Sequence, residues 1–280
     1  MDGRKPLVGL EQAPTPPDLA PFVRALVERR DAAPLGVALG LPDPYPLLQL
    51  VIGADYEMRR ARQTGPFAAV PRNALWGPTD LVWQARADGP VHVYCVVLTH
   101  FGAAVLAQSS ISNLIDRHID VDDLGLRGAD IREQLSLARS THERTAVVVT
   151  WLRRALHSSD IRDQGDLTLA DAITQGRARG SVNALAQEVG LSTRTLQRRL
   201  TAISGWSPKH LLRVARLQAV LHHIHPAPWE FASADEPLLE FHDHAHFAHD
   251  FKQLTSLSPS QYRSAKRANN DCLINTVYPA

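Results

Sequence analysis

Along the chain, the spacing of apolar positions changes character near the middle. Residues 1–21 carry prolines at 14, 16, 17 and 21, which predicts an extended arm with little regular structure. From about 35 to 98, short apolar runs are cut by proline and glycine: GVALGL (36–41), LLQLVI (47–52), DLVWQARA (80–87) and VHVYCVVL (91–98). In the third run Leu81, Trp83 and Ala85 alternate with Val82, Gln84 and Arg86, the period of a strand, and ADGP (87–90) supplies a turn. Several short strands at that spacing predict a sandwich or barrel. After Gly102 the period lengthens. AAVLAQSSISNLID (103–116) and the stretch 129–159 predict helices, with Ile131, Leu135 and Ala138 at i, i+4 and i+7. The polar stretch HSSDIRDQGD (157–166) reads as an inter-domain linker.

Residues 181–203, SVNALAQEVGLSTRTLQRRLTAI, parse as helix, tight turn, helix. Ser181 and Ser192 are N-cap residues, because a hydroxyl can accept from an otherwise unpaired N–H of the first turn. Leu185, Ala186 and Val189 make the apolar face of the first helix, and Gly190 permits the left-handed turn that ends it. In the second helix Leu196, Leu200 and Ile203 point inward, which leaves Thr193, Arg194, Gln197, Arg198 and Thr201 outside. Arginine can bond guanine through two donors and glutamine can bond adenine, while hydroxyls suit phosphates. A longer helix follows over 207–224, with Ser207 as N-cap and Pro208 in its first turn. Two cadences, SGWSPKHLLR and TSLSPSQYR, then suggest two helix-turn-helix units joined by a rigid helix.

Composition narrows the classes. With 280 residues, 44% of them hydrophobic and 21% charged, the chain is of globular type. No apolar run reaches the roughly 18 residues a membrane helix requires, so no membrane partner is expected. MDGRKPLVGLEQAPTPP lacks the apolar core of a secretory signal. Cys95 and Cys272 offer neither a disulfide framework nor a paired zinc motif, so a reducing compartment is expected. The net charge of +1 conceals an uneven distribution. Residues 177–216 hold eight basic side chains and one acid, whereas residues 1–176 hold 18 basic and 21 acidic. A basic block within a neutral chain suits a polyanion, most simply nucleic acid.

LAQEVGLSTRTLQRRL, GWSPKHLLRVARL and FHDHAHFAHDFKQLTSLSPSQYR together resemble the AraC/XylS family of bacterial transcription regulators over about 177–267. The resemblance implies an α+β chain: an N-terminal β-rich, cupin-like domain with helices, and a C-terminal all-α domain with tandem helix-turn-helix units. The expected division is a sensor or dimerisation domain at 1–160, a linker at 161–176, the DNA-binding domain at 177–267 and a tail at 268–280. The implied function is sequence-specific binding of double-stranded DNA, mainly through residues 181–203. Control would come from a small-molecule effector or partner at the N-terminal domain. RNA polymerase and a second copy of the chain are further implied partners, and the location is the bacterial cytoplasm, at the nucleoid. Thr193, Arg194, Thr195, Gln197, Arg198, Arg199 and Lys209 are the candidate DNA contacts. In the second unit the corresponding candidates are His244, Ala245 and His249. The alternative reading is a protein-interaction module or anti-regulator that keeps the fold with weakened DNA binding.

Departures from the family pattern motivate that alternative. Where the second unit should open, ADEPLLEF places Glu236 and Glu240 at the positions matching Ala186 and Gly190, with Pro237 between them. Residues 217–267 hold four basic and six acidic side chains, a poor match for phosphate. His242, His244, His246 and His249 invite a metal reading, but the HxHxHxxH spacing puts alternate histidines on opposite helix faces, and ordinary helix residues are the better reading. No metal, cofactor or catalytic residue is expected. A cupin-type metal centre needs converging histidines, and 35–98 holds His92 alone. Neither GxSxG, a P-loop nor GxGxxG occurs, so an enzyme is disfavoured. Cys95 reads as a small buried hydrophobe. Trp76 and Trp83 are weak candidates for lining a ligand pocket, with core packing as the competing role.

Overall fold

A computed structural model describes residues 9–156, 164–174, 181–224 and 244–262. Eight strands form one antiparallel sheet: β1 (Gly9–Ala13), β2 (Val23–Gly40), β3 (Leu47–Val51), β4 (Glu57–Arg60), β5 (Ala68–Ala69), β6 (Asn73–Trp76), β7 (Trp83–Leu98) and β8 (His118–Asp120). The order is β1-β2-β7-β3-β6-β8, with β4 also bonded to β7 and β5 to β4. Side-chain alternation along β7 explains why VHVYCVVL is apolar almost throughout. Tyr94, Val96 and Leu98 enter the core shared with the helices, while Val93, Cys95 and Val97 enter a second cluster on the opposite face. Both faces are covered.

Four sequence expectations change here. Residues 9–13 of the expected arm pair with β2 as its outer neighbour. Residues 23–34 were not recognised as a strand because Arg24, Glu28, Arg29, Arg30 and Asp31 interrupt any clean alternation, yet Glu28 and Arg29 are buried in the sheet. The turn expected at ADGP is a bend within β7: Pro34 faces Pro90, with register shifts on either side. Proline lacks the N–H a regular ladder needs and is accommodated where the register slips. The helices are also shorter than expected. α1 (His100–Ala107) starts at Thr99, whose Oγ1 accepts from the Gly102 N–H at 2.9 Å. A 3-10 turn at Ile111–Leu114 and β8 replace the rest of the expected 103–116 helix. The 129–159 stretch forms α2 (Gly128–Leu137) and α3 (Thr141–Leu156), separated at 138–140.

A buried ionic knot fastens α3 to the sheet. Arg144 Nε and Arg30 Nε each donate to Glu28 Oε1 at 2.7 Å, and His92 Nε2 lies 2.6 Å from the same oxygen. Burial alone would raise the Glu28 pKa, but hydrogen bonds from His92 and Arg30 and the Arg30 charge hold it below the usual glutamate value.

Within the expected linker lies α4 (Gln164–Thr174), whose Leu167, Ala170 and Ile173 are buried. The LxxAxxI spacing inside a polar-looking segment was the available signal for this helix. Asp171 Oδ1 accepts from the His100 backbone N–H at 2.8 Å and meets His100 Nδ1 at 2.7 Å. α4 packs against α1 on one side and the C-terminal helices on the other. Those helices are α5 (Val182–Glu188), α6 (Thr193–Ser204), α7 (Pro208–Ile224) and α8 (His244–Thr255). One continuous apolar core includes Leu48 of the sheet, Ala170 of α4 and Leu196 and Leu211 of the C-terminal helices. Among the described residues no helix is long and apolar enough to cross a membrane.

Candidate nucleic-acid interface and interior cavity

The helix-turn-helix is built by local rules legible in its sequence. Ser181 Oγ accepts from the Ala184 N–H at 3.2 Å, and Ser192 Oγ accepts from the Thr195 N–H at 3.1 Å. Gly190 sits at φ +67° between α5 and α6, a left-handed position that a Cβ would strain. Leu185 and Ala186 are buried as expected, but Val189 is 37% exposed, and Leu191 packs in its place. Leu196, Leu200 and Ile203 seat α6 on the core, while Arg194, Gln197, Arg198 and Arg199 are exposed. Spacing places Arg194, Gln197 and Arg198 within about 100° of arc on the side opposite the buried face, with Arg199 about 100° further round, on the flank.

The hydroxyls beside them are engaged internally. Thr193 Oγ1 donates to Asn183 Oδ1 at 3.0 Å, and Thr195 Oγ1 lies 2.8 Å from Ser192 Oγ. Both threonines are half-buried, and these bonds stiffen the turn. Lys209 is exposed near the start of α7, where Ser207 Oγ accepts from the His210 N–H at 3.2 Å. Arg213 is turned elsewhere: its Nε lies 3.1 Å from Asp250 Oδ1, and its Nη2 donates to Gln253 Oε1 at 2.5 Å. Of the second-unit candidates, His249 is exposed and its Nε2 meets Gln253 Nε2 at 2.7 Å. His244 and Ala245 belong to the backbone of α8, but their side chains lie outside the described residues, as do His242, His246 and ADEPLLEF. Among the described residues no group of three or more His, Cys, Asp or Glu is placed to hold a metal ion.

The N-terminal domain touches α6 at its far end and α7 along its length. Ser110 Oγ donates to the Ala202 carbonyl at 3.3 Å. Gly205, at φ +70°, ends α6 where a Cβ would stand 2.2 Å from Ile115 Cδ1, so the backbones approach closely only because the residue is glycine. Gln218 Nε2 donates to the Pro42 carbonyl at 2.5 Å, and His210 Nε2 lies 3.5 Å from Asp80 Oδ2. Burial lowers the His210 pKa against the pull of Asp80, and burial together with Asp116 raises that of Asp80. The exposed half of α6, from Arg194 to Arg199, lies apart from these contacts.

Inside the sheet, a cavity is lined by Arg29, Asp43, Tyr45, Tyr56, Trp76 and Trp83 together with apolar strand residues. Both tryptophans proposed as pocket residues therefore face it. Arg29 and Asp43 were missed, because the sequence did not show β2 as a strand; once it is one, Ala25, Val27 and Arg29 fall on the same side by alternation. Trp83 Nε1 donates to Thr79 Oγ1 at 3.2 Å. Asp43 Oδ1 accepts from the Tyr45 N–H at 2.9 Å, and burial pushes the Asp43 carboxyl up to about 7. Tyr45 serves two sites at once: its ring walls the cavity, and its hydroxyl donates to the Thr174 carbonyl of α4 at 2.6 Å. Arg24 lies over the same ring, 4.1 Å from its centroid.

Residues 185–265 match the family model described as a helix-turn-helix domain, of the AraC type, a module of DNA-binding transcription regulators. No curated protein matches the chain by sequence. Among solved structures, the chain is similar to ToxT from Vibrio cholerae at 10% identity and a TM-score of 0.45, over 85% of this chain and 96% of ToxT. A second structure, unsaturated fatty acid-bound wild-type ToxT from the same species, aligns at 12% identity and a TM-score of 0.43, over 86% and 94% of the two chains. A looser likeness, to a hydroxyethylphosphonate dioxygenase, has 15% identity and a TM-score of 0.25, over 72% of this chain and 46% of the enzyme.

Proposed function

With residues 185–265 an AraC-type helix-turn-helix domain, we propose that the protein is a sequence-specific transcription regulator that reads DNA mainly through α6. The observation that carries this reading is the exposed Arg194, Gln197 and Arg198 surface opposite a fully seated apolar face. Arg194, Gln197 and Arg198 contact base edges; Arg199 and Lys209 lie toward phosphates. Thr193 and Thr195 act by holding the turn, and their hydroxyls reach phosphate only by exchanging their present bonds. The second unit packs or modulates, since Arg213 is committed to Asp250. His249, with His244 and Ala245, contributes little affinity.

Residues 1–160 form the sensing part, 177–267 the DNA-binding part and 268–280 a tail, with 161–176 joining them through a packed helix rather than a free tether. Effector or partner binding at the N-terminal domain controls the DNA-binding part through the α4 and α7 contacts. The work is done in the cytoplasm, with RNA polymerase and a second copy of the chain as further partners. The test is to sequence genomic fragments that co-purify with the full chain, then measure affinity for the recovered motif. A shared motif bound well above shuffled DNA supports the reading. Equal affinity for both would refute it.

A further inference from the structure

The cavity within the sheet carries unused donors. Arg29 is 5% exposed, and its Nε finds no hydrogen-bond partner; its Nη2 lies 4.0 Å from Asp31 Oδ2. Trp76 Nε1 is buried and equally without a partner. A buried guanidinium N–H left unmatched is costly, and more so than a neutral donor, so its presence on a cavity wall points to an acceptor that arrives from outside. The rest of the lining is largely apolar: Leu47, Met58 and Val93 flank the donors, and the Trp76 and Trp83 rings join them. Trp83 is no competitor for the ligand's polar end, since its indole N–H is already given to Thr79.

Asp43, also on the wall, is held by the Tyr45 N–H, so the acid-binding end of the cavity is the Arg29 end. The free space suits on the order of seven to ten waters. That is room for a small organic molecule.

We propose that this cavity binds a small organic acid, its carboxylate on the Arg29 guanidinium, its apolar body between Met58 and the Trp83 ring, and Trp76 Nε1 as the second donor. This deepens the proposed control by an effector at the N-terminal domain and rests on it. An alcohol of the same shape would fill the apolar space but would meet Arg29 without a charge, losing the stronger charge-assisted bond.

The test uses the full chain and three matched pairs: benzoate and benzyl alcohol, cyclohexanecarboxylate and cyclohexylmethanol, octanoate and octanol. Binding is read by titrating tryptophan fluorescence and by thermal shift. At least one of the three acids binds saturably and at least tenfold more tightly than its alcohol. Arg29→Gln removes the preference for acid over alcohol. Because a change at a buried arginine can disturb folding, Trp76→Phe provides a second arm: it keeps an aromatic ring, loses the donor and weakens acid binding severalfold. Acids binding no tighter than their alcohols, no saturable binding by any of the six, or acid preference surviving in a folded Arg29→Gln protein overturns the proposal. DNA affinity is measured separately with the bound acid. An acid that binds as described yet leaves DNA affinity unchanged supports the site and removes the control reading.

Discussion

The sheet domain and the helix-turn-helix use arginine in opposite ways. In the sheet, Arg29 and Arg144 are 5% and 3% exposed, and Arg144 is joined to Glu28 within a knot that also takes in Arg30 and His92. On α6, Arg194, Arg198 and Arg199 stand exposed while the apolar face beneath them does the packing. Removing a buried charge leaves its partner stranded in a poorly solvating interior, whereas removing an exposed one changes little but the local field. Paired charges in the first region therefore hold the fold together, whereas Arg194 and Arg198 in the second face solvent. The acidic Glu28 belongs to the first class; in the second unit, Arg213 and Asp250 neutralise one another across α7 and α8.

The largest expected effect lies in the buried knot. Glu28→Ala should lower unfolding free energy by about 3–5 kcal/mol, measured by urea denaturation, because Arg144 is left without its partner. A cost below about 1 kcal/mol would break the contrast. Because the Glu28 carboxyl is held below its usual value, its contribution is present above the ordinary glutamate range and fades as pH falls through the lower folded value. Glu28→Gln should therefore flatten the acid limb of the stability profile.

Asp43 acts with the opposite sign. With its folded carboxyl at about 7 against an ordinary 3.8, it favours the folded state at low pH and loses that advantage as pH rises to 7. Asp43→Asn keeps an oxygen for the Tyr45 N–H. The variant should gain stability relative to the parent by about 2–3 kcal/mol between pH 5 and pH 8 in parallel melts. A gain independent of pH would rule out titration of Asp43 as the source.

On the exposed side, Arg194→Ala and Arg198→Ala should each cost about 1–3 kcal/mol of affinity for the recognised site in gel-shift titration. Stability should stay within about 0.5 kcal/mol of the parent. Unchanged affinity in both would mean that α6 presents another face to DNA.

A smaller effect separates the two helix-turn-helix units. Residues 177–216 carry +7 and residues 217–267 carry −2. Neutralising Arg198 and Arg199 together should shallow the dependence of log K on log salt by about one to two units, whereas His249→Ala should barely move it at pH 8. A greater loss from the His249 variant would reverse the proposed asymmetry.

How much of this was legible depended on whether the controlling forces were local. The helix-turn-helix was readable because caps, a glycine turn and an i, i+4, i+7 apolar stripe each fix the backbone over a few residues; Ser181, Gly190 and Leu196–Leu200 all behave as expected. The exception, Val189, projects into solvent because Leu191 packs beyond the turn. The sheet was readable only where alternation or apolar density marked it, as in 47–51 and 91–98. β2 was not, since Glu28, the acid that breaks its pattern, is matched by partners more than 60 residues away, His92 and Arg144. Long-range compensation leaves no short-range trace. For the same reason the cavity yielded its tryptophans to sequence reasoning but not Arg29 or Asp43.

α4 has a consequence for anyone who would recombine this protein. A chimaera that grafts residues 177–280 onto a foreign sensor discards the segment on which Leu167, Ala170 and Ile173 close the core shared by both halves. It also discards Thr174, the residue whose carbonyl reads the position of Tyr45 on the cavity wall. A graft seamed ahead of Gln164 keeps the splint but deprives it of its own His100 and Tyr45 counterparts. A functional transplant therefore has to carry the 164–174 segment together with a matched α1 and a matched 41–46 loop, so the unit of exchange is a three-part joint and not a domain.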